Sequence, residues 1–327
     1  MTKAGFQIKT ITLKEIHDAV RAHLLTFLTA FLVVAALTSL TVSAIALHAE
    51  YKSYTEARDL LISLGRSADS LVPPAFFPLR LLRGFIEHIE IIGAVLGIVL
   101  GYRSAAIERG HATLALILTR PLSQATFLIG KLVGNMVLIA IALAITFTIG
   151  GLALAVISGV GLNGADVLRI ILVYVSADVY VTSFFVLAFI LALTFRRLPT
   201  ALLTAFSIWL VLVLIAPQIG DTMDPDNQVA GGVFRKLEIA KPLEKEILGS
   251  FKNYETIRDG IEQASPAKHF ERFSFALLGI KDIYAGQPIT EIIKDRLVNL
   301  WAMLGIFTAL IALLLLRPLN TMRLIKE

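Results

Sequence analysis

Asp178 stands in an apolar run with Tyr174 four residues before it and Thr182 four after, so the three side chains share one face of any helix formed there. A carboxylate among apolar residues is costly and ordinarily faces a cavity or a partner group, which makes the trio a candidate for a substrate path or a subunit interface. The structural alternative is a neutral or hydrogen-bonded acid satisfied by Tyr174, Ser176 or a neighbouring helix. A second acidic group, Glu87-His88-Ile89-Glu90, puts Glu87 and Glu90 on one helical face. There they could offer carboxylates to a cation or line an access vestibule. A solvated helix end accounts for the same residues, because acids suit a helix amino terminus.

Other chemistries are excluded by residue type or spacing. Cysteine is absent, which removes disulfides and thiolate nucleophiles and leaves the redox compartment unread. The six histidines include no H-E-x-x-H pair, and no G-x-S-x-G elbow occurs. Gly130-Lys131 resembles the end of a phosphate-binding loop, but Ala125 replaces the upstream glycine and Leu132 the following Ser/Thr. The chain is therefore expected to be no enzyme by itself, with no cofactor or metal of its own.

The elements that position these residues follow from hydropathy. Of 327 residues 56% are hydrophobic, mean hydropathy is +0.77, and uncharged runs approach the ~20 residues needed to cross a hydrocarbon core of about 30 Å. Spans are expected near Leu24–Leu47, Phe85–Gly101, Leu132–Ile157, Ile170–Phe195, Pro199–Pro217 and Leu297–Leu316. Runs of this length indicate helices rather than barrel strands, so the fold class is all-α, a polytopic bundle of six transmembrane helices. The first run is too long for a signal-peptide core and lacks a small-residue cleavage site, so it is read as a retained span.

Charge sets the expected orientation. With six spans, the termini, residues 102–131 and Arg196-Arg197 share one side, carrying 13 Lys/Arg against 4 Asp/Glu. The other side carries 17 and 20, so the positive-inside rule places both termini in the cytoplasm of a multi-pass cell-membrane protein. No basic-aromatic patch stands apart from the membrane, so nucleic acid is not an expected partner. Residues 1–23, in which Phe6, Ile8, Ile11, Leu13, Ile16 and Val20 interleave with Lys3, Lys9, Lys14 and Arg21, suit an amphipathic helix lying on membrane lipid. Residues 24–217 hold spans one to five. The segment from Ala49 to Leu82 is expected to hold a short helix around Tyr54–Leu64 and to end in Pro73-Pro74 and Pro78. Residues 218–296 form an extracytoplasmic helical insert, with helices near Val233–Glu246 and Tyr254–Gln263, and 297–327 the sixth span and tail. Gly93, Gly97 and Gly101 permit close helix approach, either within the bundle or at a homodimer seam.

The connector between spans two and three is the most specific segment. It carries Glu108-Arg109, then Thr113, Leu114, Leu116, Leu118, Pro121 and Ser123, then Gly130-Lys131. From these residues alone it is an interfacial elbow that Pro121 kinks or ends. The pattern resembles the connector of type-2 ABC (ATP-binding cassette) permeases, including the NosY-like branch, with Ala112 and Gln124 standing where that family usually has Gly and Arg. Ser265-Pro266-Ala267-Lys268-His269-Phe270 before the last span is similar to the family as well. The resemblance implies a permease subunit, an exporter, assembled as two permeases (homodimer or heterodimer) with two ATPase subunits. Residues 104–121 would be its coupling helix, with Glu108 and Arg109 as polar contacts to the ATPase, Leu114 and Leu118 as apolar anchors, and Pro121 as the stop. ATP and magnesium would bind the partner ATPase.

Two rivals remain open at this level. One is a membrane anchor or assembly factor whose insert binds an extracytoplasmic protein. The other is a secondary transporter working through Asp178.

Overall fold

The computed structural model describes residues 3–65, 77–110, 123–159, 161–223 and 252–316, with isolated positions 237, 243, 247 and 249. Among the described residues all regular structure is helical, and six helical stretches are long and apolar enough to cross a membrane: Leu24–Ser63, Pro78–Arg109, Gln124–Ser158, Gly164–Thr194, Leu198–Gly220 and Leu297–Leu316. The six-span, all-α expectation holds.

Helix α1, Lys3–Arg21, is the amphipathic amino-terminal segment. Only Ala22 and His23 separate it from the first span, and His23 turns the chain with φ 55°. Helix α2, Leu24–Ser63, then runs unbroken for 40 residues, about 60 Å at 1.5 Å per residue. The separate short helix expected at Tyr54–Leu64 is thus the continuation of span one. No glycine or proline interrupts 24–64, and loss of hydropathy alone does not end a helix built of Ala, Glu, Arg and Leu. Gly65, at φ 71°, follows where the helix stops.

Spans two and five share a construction. In the second, a 3₁₀ turn (Pro78–Leu82) leads into α3 (Arg83–His88), a π turn (Ile89–Gly93) and α4 (Ala94–Gly110). The fifth has α7 (Leu198–Trp209), a π turn (Leu210–Ile215) and α8 (Ala216–Met223). Pro217 was expected to end span five, yet the helix passes through it. A proline ring clashes with the carbonyl four residues back, here Val213, and the widened π turn at that place gives it room.

Helix α5 (Gln124–Ser158) starts where the Ser123 hydroxyl caps the Thr126 N–H. Helix α6 (Gly164–Thr194) starts at a capping box between Asn163 and Asp166. α6 is the centre of the bundle. Its Val181, Phe185 and Ala188 lie against Gly93, Gly97 and Gly101, and a Cβ at Gly97 or Gly101 would collide with the Val181 or Phe185 carbonyl oxygen. The small-residue stripe is therefore a seam within the chain.

The insert differs most from expectation. Its first helix near Val233–Glu246 lies almost wholly outside the described residues. Helix α9 (Lys252–Gln263) returns beside α8, with Glu262 over Gly220. Helix α10 (Pro266–Leu277) then enters the bundle against α6 and α12 (Leu297–Leu316); the short α11 (Ile289–Asp295) links the two. Ala267, Phe270 and Leu277 are fully buried, and Phe270 stacks on Tyr180 at 4.9 Å. Most of its charged and polar side chains find partners within the chain, while the buried Ser274 hydroxyl has none among the described residues. Ser265 caps α10 and donates to the Leu212 carbonyl of the π turn. Lys268 pairs with Glu271 at 2.8 Å, and Arg272 pairs with Glu262. His269 donates from Nε2 to the Gln263 carbonyl and accepts the Asn299 amide on Nδ1, a tautomer assigned from these partners.

Candidate functional site

The end of α4, the start of α5 and the middle of α1 converge on a buried charged junction. Lys131, about two turns past the start of α5, is 1% exposed. Its ammonium lies 2.6 Å from Glu15 Oε1, 3.1 Å from Glu108 Oε1 and 3.1 Å from the Ser104 carbonyl. Lys14 reaches the same Glu108 oxygen at 2.9 Å. The other Glu15 oxygen accepts the Ser104 hydroxyl at 3.0 Å and the Asn135 amide at 3.2 Å. Two carboxylates thus face two ammonium groups, one buried and one half exposed, and such pairing is the condition under which buried ions are tolerable. A cavity of about 20 Å³ beside Glu15, Asp18, Arg103 and Asn135 has room for one water. Lys14 sits at the rim. Burial works against its charge, but the hydrogen bond to Glu108 and that carboxylate's charge hold the ammonium above the ordinary lysine value.

Neighbouring Arg109 faces the other way. Its guanidinium donates to the carbonyls of Ala192 at 2.7 Å and Phe195 at 2.8 Å, and to that of Arg196. These are the last carbonyls of α6 and of the link to α7, so a fixed cation caps the negative end of a long helix.

This corrects the placement of two residues. Glu108 and Arg109 were expected to reach out to a partner, but they are 2% and 9% exposed. Adjacent helical residues diverge by about 100°, and each of these meets its neutralising group inside the bundle. Leu114, Leu118 and Pro121 lie outside the described residues.

The other candidates do not form one site. The Tyr174 hydroxyl donates to the Ala140 carbonyl of α5 at 3.1 Å, and Ser176 donates to Val173, so neither serves Asp178. Asp178 Oδ1 and Thr182 Oγ1 are buried with no hydrogen-bond partner. Glu87 is half exposed and pairs with Arg83 at 3.0 Å. Glu90, 7% exposed, lies in the π turn, where its carbonyl accepts the Tyr180 hydroxyl at 2.8 Å. The inserted residue of that turn parts the two acids. Among the described residues no cluster of three His, Asp or Glu side chains could hold a metal.

Sequence reading missed Lys14, Glu15, Ser104 and Asn135, and placed no charge partner at Lys131. One signal was present: Glu15 falls on the face of α1 that carries Ile8, Ile11 and Ala19, where an acid needs a cation.

Residues 9–319, from α1 to beyond the sixth span, match the family model described as ABC-2 family transporter protein. The chain belongs to the ABC-2 transporter family. Among curated proteins no relative matches it. An ABC-2 permease is the multi-pass transmembrane subunit of an ATP-binding cassette transporter and works with a separate ATPase subunit. The junction and the Asp178 face both lie within the matched stretch, so they are parts of the permease proper.

Proposed function

We propose that this ABC-2 permease is the half-transporter of an exporter, and that residues 104–121 dock on the ATPase while the junction above them carries the resulting motion into the spans. The observation that supports this is the bifurcation at Glu108-Arg109. Glu108 ties the base of the connector to α1 and α5, and Arg109 ties it to α6 and the link into α7. A displacement of the connector is therefore shared by four helices, and α1 passes it to the first span through two residues. Such a displacement biases the permease only if contacts differ between its states, and a balanced ion cluster with more than one possible pairing provides that difference. ATP and magnesium belong to the ATPase. Two permeases, a homodimer or heterodimer, complete the assembly, and the lysine and arginine excess at the termini supports their cytoplasmic placement.

Asp178 and Thr182, each with one buried oxygen that has no hydrogen-bond partner among the described residues, are the polar points of the substrate path along α6. The anchor reading loses ground because α10, the best described part of the insert, is packed into the bundle and does not form a free binding module. Recovery of the ATPase with the solubilised permease, with and without Leu114→Asp and Leu118→Asp, tests the docking. Loss of the ATPase is expected, and undiminished recovery with both substitutions would overturn the assignment. Flux in vesicles with Asp178→Asn tests the path; transport that persists without the ATPase would identify a secondary transporter instead.

A further inference from the structure

Helix α1 has a second face that the junction does not use. Its inward side meets α5, where Thr12 donates to the Gly130 carbonyl at 3.1 Å, and both acids of the helix turn that way: Glu15 to Lys131, Asp18 to the small cavity. On the outward side Phe6, Leu13 and Val20 are 65%, 56% and 57% exposed and recur every seven residues, a single apolar stripe about 20 Å long at the helical rise. Lys9 borders this stripe on one edge; His17 and Arg21 border it on the other, all exposed, with half-exposed Lys14 beyond them. No acid lies on this half of the helix. An apolar stripe flanked by Lys9, Lys14 and Arg21 with no acid beside it fits the boundary between acyl chains and negatively charged headgroups.

We infer that the outward face of α1 is a binding surface for anionic phospholipid. The two-residue link to α2 favours lipid over a soluble protein as the occupant, because it keeps the helix at the membrane surface. The apolar side chains enter the acyl region while Lys9 and Arg21 hold the phosphates. Because Glu15 is on the same helix, lipid seating also steadies the junction, a consequence that rests on the coupling reading above.

The test uses the whole permease carrying Leu13→Trp in phosphatidylcholine vesicles doped with bromine-labelled phosphatidylglycerol or, at the same fraction, bromine-labelled phosphatidylcholine. The response of Trp209 and Trp301 in the unsubstituted chain is subtracted. Quenching should be several-fold stronger with the labelled phosphatidylglycerol, and Lys9→Glu with Arg21→Glu should bring the two lipids to equality. Equal quenching before those substitutions would overturn the headgroup preference. Absence of quenching by either lipid would show the face covered by protein and overturn the proposal outright. The measurement needs neither ATP nor the ATPase, so its failure is distinct from failure of the docking assignment.

Discussion

Lys131 Nζ lies 2.6 Å from Glu15 Oε1, joining the amino-terminal helix α1 to the span α5 across 116 positions of sequence. The ammonium is 1% exposed and the Glu15 side chain 10%, so the ion pair is enclosed by protein. Two carboxylates depend on that one buried nitrogen, which makes it the point where the junction is easiest to break.

Lys131→Met should therefore leave Glu15 and Glu108 short of positive charge. Removing one member of a buried pair costs about 3–5 kcal/mol, seen as a lower denaturation midpoint of the solubilised permease. Adding Glu15→Gln should recover part of the loss, and a double-mutant cycle measures the coupling. Strictly additive effects would show that the two side chains do not interact.

Arg109→Lys keeps the charge but removes the planar fork that spans three carbonyls. The ATPase should still co-purify, because the connector itself is intact. Flux per ATP should fall about tenfold, equivalent to about 1.4 kcal/mol. Unchanged coupling would show that the α6 terminus does not take part.

The α4–α6 seam makes a prediction about size. Gly101→Ala drives a methyl group into the Phe185 carbonyl and should cost about 1–3 kcal/mol, the usual range for overpacking. Gly151→Ala, with open space at that position, should be neutral or stabilising by up to about 1 kcal/mol. Thermal midpoints of the two variants decide it.

His269 gives the fold a pH dependence. Burial lowers its affinity for a proton below the ordinary value of 6.5; the Gln263 carbonyl opposes this and nearby Arg272 adds to it. The unfolded chain then takes up the proton first, so the contribution is fully present above pH 6.5 and lost as pH falls through the folded value. The midpoint of the native permease should drop over that interval, and His269→Gln should flatten the drop. Parallel pH profiles would assign the loss to other groups.

Long apolar runs were legible directly: α12 starts at the expected Leu297 and is helical through Leu316, over the apolar run before the tail. The run-on of α2 was not, since a change from apolar to charged composition marks the end of a membrane span but not the end of a helix. The partners of α10 were not all legible either: His269 and Arg272 meet Asn299 and Glu262, groups that no local pattern assigns to them. At the junction the residue types were visible and the pairings were not. Glu108 meets Lys14 from 94 positions away, a relationship no local pattern encodes.

The two π turns each insert one residue into a helix that otherwise runs straight through. One extra residue advances the helical phase by about 100°. The two halves of spans two and five are thus dialled separately: Glu87 before the π turn and Gly97 after it belong to different azimuthal registers of one rod. A helical wheel drawn through the whole span would put on one side residues that the protein sets on two.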